Sequence, residues 1–187
     1  MVYFISDTHF CSENIIKYCN RPFKDAEEMN EQLIQRWNAV VKPEDKVFHL
    51  GDVVMHQSEN IPSIIPRLNG EIHLITGNHD TRAKLEVLKK MPNIVAVDFA
   101  SFARYKNLFL VLNHFPMTDP EFLDMVNTEN SEVFCVHGHV HDKQPFFVGE
   151  KHAFNVSADV VDFTPVPITR IYSTARNYLI EKGVWQK

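Results

Sequence analysis

Five short blocks of this chain concentrate carboxylate, carboxamide and imidazole groups: Asp7-Thr8-His9, Gly51-Asp52, Gly77-Asn78-His79-Asp80, Asn113-His114 and Gly138-His139-Val140-His141. Such side chains hold divalent cations with mixed nitrogen and oxygen ligation. Each block follows an apolar run: Val2-Tyr3-Phe4-Ile5, Val47-Phe48-His49-Leu50, Ile72-His73-Leu74-Ile75, Leu108-Phe109-Leu110-Val111-Leu112 and Val133-Phe134-Cys135-Val136. Runs of this length read as buried strands. Residues just past strand ends converge on one rim of a sheet, where open α/β folds place their sites.

Taken singly, the blocks have ordinary readings. Asp7 and His9 suit a turn, Gly51-Asp52 a tight turn, and Asp80 a cap for a helix starting at Arg82. A lone His114 suits a satisfied core position, and His139 with His141 suits a structural zinc site. Together they supply two four-ligand cages. One is Asp7, His9, Asp52 and His141; the other is Asp52, Asn78, His114 and His139. Asp52 belongs to both, because a carboxylate has two oxygens and can bridge two cations. Asn78 adds a neutral oxygen donor.

The elements that must position these groups are legible from spacing. A helix is expected from Ala26 to Val41, with Asp25 as N-cap, Glu28 completing a capping-box-like pair, and Met29, Leu33, Trp37 and Val40 as its apolar stripe. Lys42-Pro43 stops it. Shorter helices are expected over Ile61 to Leu68, over Arg82 to Lys90, and from Asp119-Pro120 onward. Ser173 is expected to cap a last helix through Glu181. From Ile94 strands dominate: Ile94 to Phe99, Leu108 to Asn113, Glu132 to Val136, Phe146 to Val148, Ala153 to Val156 and Thr169 to Tyr172. Strand–helix alternation followed by a β-rich half suggests two facing sheets with helices outside. The segment from Phe10 to Lys24 reads as an irregular connection overhanging the site.

The chain has 187 residues, 44% of them hydrophobic, and a formal net charge of −5. That fits a single domain over residues 1–187. It gives no general basis for gripping a polyanion along its length. Cys11, Cys19 and Cys135 form no paired framework, so free thiols in a reducing compartment are expected. No leader pattern and no span of about 20 apolar residues is present, so a cytoplasmic protein without membrane contact is expected. No heptad or long exposed apolar helix bears on oligomeric state.

In this order, the blocks from residue 7 to residue 141 resemble the calcineurin-like metallophosphoesterase superfamily. Asn14-Ile15-Ile16, Arg21-Pro22-Phe23 and Asn155-Val156 resemble its small single-domain members from bacteria and phages. The resemblance implies an α/β fold, a four-layer α/β/β/α sandwich of two mixed sheets flanked by helices. It implies two divalent ions in the cages as grouped above, and His79 as the phosphate contact and general acid. Two divalent ions against Asp7 and Asp52 leave about two positive charges, which suits a hydroxide plus a phosphodiester anion. Mn, Fe, Zn or Ni would suit the ligands.

The superfamily's protein phosphatases continue the second block to Asp-Arg-Gly and read Gly-Asn-His-Glu in the third. Here the second continues Val53-Val54-Met55-His56 and the third ends at Asp80, which favours a small phosphoester, preferentially a diester, over a phosphoprotein. Cys11 and Ser12 stand where small members often carry Gly and His. Arg21, in the overhanging connection, and Arg82, after the third block, are the candidate substrate-binding cations, with a salt bridge or solvent as the alternatives. Asn155 and Asp159 read as a structural turn near the rim, His137 as either a strand-end structural group or a member of the site, and His49, His56, His73 and His152 as incidental. The rival functions are a partner-binding scaffold that has lost catalysis and a nuclease. The scaffold would be expected to lack His79 or several ligands; the nuclease would need a basic track beside the metals.

Overall fold

A computed structural model describes residues 1–55, 57–126 and 131–186; His56 of the second block lies outside them. The strands are β1 (Val2–Ile5), β2 (Lys46–His49), β3 (Glu71–Ile75), β4 (Ile94–Asp98), β5 (Ala100–Tyr105), β6 (Leu108–Asn113), β7 (Glu132–His137), β8 (Phe147–Val148), β9 (Ala153–Asn155) and β10 (Val166–Pro167). The helices are α1 (Glu13–Tyr18), α2 (Ala26–Val40), α3 (Ile61–Ile64), α4 (Arg82–Leu88), α5 (Pro120–Val126) and α6 (Ile168–Glu181).

The strands form two mixed five-stranded sheets, ordered β10-β1-β2-β3-β4 and β5-β6-β7-β9-β8, flanked by helices. This is the expected α/β architecture. One apolar core takes residues from both sheets, including Phe4, Val47 and Leu74 from the first and Leu110, Phe134 and Phe154 from the second. The parallel register fixes the rim. Ile5 lies beside His49 and His49 beside Leu74, while Leu112 lies beside Val136. The chain therefore leaves β1, β2, β3, β6 and β7 in one direction, and the five blocks are brought to one end.

Several local expectations hold for their stated reasons. Asp25 caps α2 by accepting the Glu28 amide at 2.8 Å, and Met29, Leu33 and Trp37 are buried on its inner face. Asp119 accepts the Phe122 amide at 3.1 Å at the start of α5. The helix expected through Leu68 is α3 continued as a 3-10 segment, Ile65–Arg67; Pro66 has no amide to extend an α-helical ladder.

Other expectations are corrected. Thr169 to Tyr172 is not a strand but the first turn of α6, and Ser173 lies inside that helix, not at its cap. The β-branched Thr169 and Ile171 favour a strand locally. Ile168, Ile171, Ala175 and Leu179, all buried at helical spacing, decide otherwise. The Phe10–Lys24 connection contains α1, capped by Ser12 accepting the Ile15 amide at 3.3 Å. A six-residue helix is too short to display a period. β5 was not expected either; its exposure alternates residue by residue as an edge strand's does.

Candidate metal centre

The seven expected ligands meet where the two sheets' carboxyl ends face each other. Asp52 stands at the middle: its Oδ2 is 3.6 Å from His9 Nε2, 3.6 Å from His114 Nε2 and 4.0 Å from His79 Nε2. Asp7 Oδ1 is 3.9 Å from both His9 Nε2 and His141 Nε2. Asn78 Oδ1 lies 2.8 Å from His114 Nε2 and 3.0 Å from His139 Nδ1. Asp7, His9 and His141 offer ligand atoms all within 4.8 Å of one another, as do Asp7, Asp52 and His114.

These residues fit cations. Separations of 3.6 to 3.9 Å are too long for hydrogen bonds, yet they suit donors that each approach a shared ion to about 2.1 Å. Asp7 Oδ1 and His9 Nε2 are buried and have no hydrogen-bond partner, a costly state for polar atoms unless something else engages them. Burial raises the Asp7 pKa, with His141 and His114 opposing it. A cation beside Asp7 reverses that penalty by favouring the carboxylate. Burial, then His141 and Arg21, lowers His9 to about 2, so its imidazole is neutral and able to ligate. Burial, then His114, lowers His139 as well.

The backbone bends sharply to present these groups. Asp7, His9, Asp52, His139 and His141 all have positive φ, between 48° and 69°, a region uncommon for residues with a Cβ. Strain of this kind persists where the surroundings over-determine it. Two glycines allow the close approach. A Cβ on Gly51, whose φ is +96°, would come within 2.5 Å of the Gly77 backbone, and one on Gly138 within 2.0 Å of Ser6 Oγ.

A layer of partners beneath holds the ligands. Asp159 accepts from His141 Nδ1 at 2.7 Å and from Arg21 Nε and Nη2 at 2.8 and 3.0 Å. Arg21 also donates to the Asp7 and Thr8 carbonyls at 2.7 and 2.9 Å. Burial opposes ionisation of Asp159, but the hydrogen bonds from His141 and Arg21 outweigh it and hold the carboxyl at about 2. In the same way, burial pulls His141 down while Asp159 and Asp7 prevail and raise it. Ser157 Oγ donates to Asp7 Oδ2 at 2.8 Å, and Asn155 Nδ2 donates to the His141 carbonyl at 2.8 Å.

The structure thus separates the expected site residues into groups. His79 lines a cavity of about 480 Å³ together with His9, Asp52, Asn78, His139 and His141. Arg21 and Arg82 do not line it. Arg21, expected at a substrate, has a fully buried side chain committed to Asp159; Arg82 is exposed on α4. Asp80 does not cap α4, whose N-cap is Thr81. It accepts the amides of Asp52, Gly77 and Val53 at 2.8, 2.9 and 3.2 Å and so locks two ligand loops together. Asp159 is a support for His141 and not only part of a turn. Its pairing with Arg21 spans 138 residues, so no local pattern could announce it. His49, buried against Thr8 Oγ1 at 3.0 Å, and His73, against Phe48, remain apart from the cavity. His137 is buried beside the ligands, its Nδ1 2.9 Å from the Gly138 carbonyl.

Residues 1–156 match the calcineurin-like phosphoesterase superfamily domain. The chain belongs to this superfamily. An uncharacterized protein of Methanocaldococcus jannaschii is 37% identical over 189 residues, covering 97% of this chain and 92% of the relative. A crystal structure of a protein of unknown function from Aquifex aeolicus is similar at a TM-score of 0.75 and 28% identity, covering 93% of this chain and 98% of that one. Membership in the calcineurin-like superfamily supports metal-dependent hydrolysis of phosphate esters. No helix among the described residues is long and apolar enough to cross a membrane.

Proposed function

We propose that this chain is a dinuclear, divalent-metal-dependent phosphodiesterase acting on a small ester. The observation that carries the reading is the Asp52 carboxylate, whose Oδ2 stands 3.6 Å from both His9 Nε2 and His114 Nε2. Those histidines come from loops of different sheets, and their spacing from Asp52 suits ions shared through one acid. Asp7, His9, Asp52 and His141 would hold one ion, and Asp52, Asn78, His114 and His139 the other. Mixed nitrogen and oxygen donors suit Mn, Fe, Ni or Zn. When bound, such ions supply a nucleophile activated near neutral pH and offset charge on the phosphoryl oxygens.

The protein's own groups account for the rest. The His79 backbone amide donates to Asp52 Oδ1 at 2.8 Å, which fixes the residue beside the proposed bridge. Its side chain is 48% exposed, so it can reach a substrate oxygen and donate a proton to the leaving alcohol. Two dications against Asp7 and Asp52 leave about two positive charges, matched by a nucleophile and a diester monoanion. Lys143 is the one Lys or Arg side chain lining the cavity among the described residues. A dianionic monoester would want a stronger cationic clamp, and Arg21 and Arg82 stand elsewhere.

The test is turnover of bis-(p-nitrophenyl) phosphate against the p-nitrophenyl monoester, with Mn, Fe, Ni and Zn supplied in turn. Faster metal-dependent turnover of the diester is expected; silence with every metal would sink the reading. His79→Ala should lower the rate by about 10² to 10⁴-fold with metal content unchanged. Full activity of that variant on an ester with a poor leaving group would remove His79 from the acid role.

A further inference from the structure

Beyond the ligands, the cavity has a second, chemically different wall. It is built by Ile15 and Tyr18 of α1 with Met55, and its edge is Lys143. Asn14, Ile15 and Tyr18 share one helix face, because residues three and four apart are neighbours on a helix. Met55 is tied to the start of this wall: its amide donates to the Phe10 carbonyl at 2.8 Å. Ile15 is buried beneath, while Tyr18 is 70% exposed. An exposed ring is ordinary on a convex surface. Here it lines a concave site while staying largely exposed, so its ring is accessible to an occupant.

Lys143 lies two residues past His141, on the 3-10 turn His141–Lys143, so its amine is tethered to the proposed metal centre's own loop. That amine is 3.3 Å from the Tyr18 hydroxyl and 5.6 Å from the ring centroid. It therefore lies out past the hydroxyl and leaves the ring faces open. An apolar floor, an open aromatic face and an ammonium at the ring's edge together suit one kind of ester arm.

Resting on the diesterase reading, we propose that this outer wall is a subsite for a planar ring bearing hydrogen-bond acceptors, the chemistry of a nucleoside base, on one ester arm of the substrate. Tyr18 provides the stacking face. Lys143 donates to carbonyl or ring-nitrogen acceptors at the ring's edge. The phosphoryl group meanwhile lies over Asp52 and His79.

The experiment compares uridine 5′-monophosphate with ribose 5-phosphate, which share ribose and phosphate; the nucleotide carries the ring where ribose 5-phosphate has its anomeric hydroxyl. Both are titrated calorimetrically into Mn-loaded protein. Stacking on an aromatic side chain predicts binding of the nucleotide about tenfold tighter. Tyr18→Ala should erase most of that ratio, Tyr18→Phe should keep most of it, and Lys143→Met should reduce it partway. Equal affinities in the unaltered protein, a ratio unmoved by Tyr18→Ala, or no binding of either compound would overturn the subsite. Absent turnover of bis-(p-nitrophenyl) phosphate with the affinity ratio intact would instead overturn the diesterase reading and leave the subsite standing.

Discussion

The corner built from Asp7, His9 and His141 differs from the corner built from Asn78, His114 and His139, although Asp52 serves both. In the first, Asp7 and His9 are buried, and the Arg21–Asp159 pair and Ser157 brace Asp7 and His141 from behind. In the second, Asn78 and His139 are exposed, and only His114 is buried, anchored on the Leu50 carbonyl at 2.8 Å. On the proposed dinuclear reading, the first corner would keep its ion and the second would exchange its ion more readily. A ligand set held by its own partners loses little freedom on binding, whereas an exposed set must be ordered by the ion itself.

The largest expected effect removes the comparison altogether. Asp52→Asn should deprive both corners of their shared carboxylate, with activity falling at least about a thousandfold and metal content falling with it. Retention of two ions per chain in that variant, by elemental analysis, would break the bridging assignment. Next, His139→Ala should leave the buried ion in place and release the other, and mild chelation of the unaltered protein should likewise remove one ion first. Simultaneous loss of both ions would show that the corners are not distinct.

A smaller effect is expected from the brace. Asp159→Asn keeps the shape but weakens the hold on His141 Nδ1, so affinity for one ion alone should fall by about 10- to 100-fold. A uniform loss at both sites would make Asp159 merely structural. The smallest effect concerns acid. His49 sits behind the first corner, where burial and then His114 lower its pKa to about 3. Its folded pKa lies below the unfolded value of about 6.5, so the unfolded chain takes up the proton first. His49 therefore favours the fold fully above about pH 6.5 and loses that contribution as pH falls toward about 3. Between pH 7 and pH 5 the metal-free protein should lose about 2 kcal/mol from this residue. His49→Asn should flatten the difference, read from unfolding midpoints; an unchanged pH response would place the acid sensitivity elsewhere.

The convergence of the candidate ligand blocks was legible because residue type and strand end are both local: Val2–Ile5 and Asp7 sit side by side in the sequence, as do Val133–Val136 and His137 to His141. Parallel pairing then did the assembling. The brace was not legible, since Arg21 and Asp159 meet only through tertiary folding, and a buried arginine and a substrate-facing arginine look alike in sequence. Asp80 was misjudged for a related reason. An aspartate before a helix reads as a cap, and only the fold brings the amides of Asp52 and Val53 to it. α6 held a signal that could have been used: Ile168, Ile171, Ala175 and Leu179 recur at helical spacing, and this outweighs the β-branched residues at its start.

A Cβ on Gly51 would meet the Gly77 backbone, one on Gly77 the Asp52 carboxylate and backbone, and one on Gly138 the Ser6 hydroxyl and the Asp7 carboxylate. At these three positions any side chain larger than hydrogen would press into the cradle, so the backbone there can be neither widened nor refilled by substitution without displacing Asp7, Asp52 or the Gly77 backbone. The lip carries no such constraint: the short helix α1 borders the cavity through Tyr18, which is 70% exposed, and can accept change without moving the groups below.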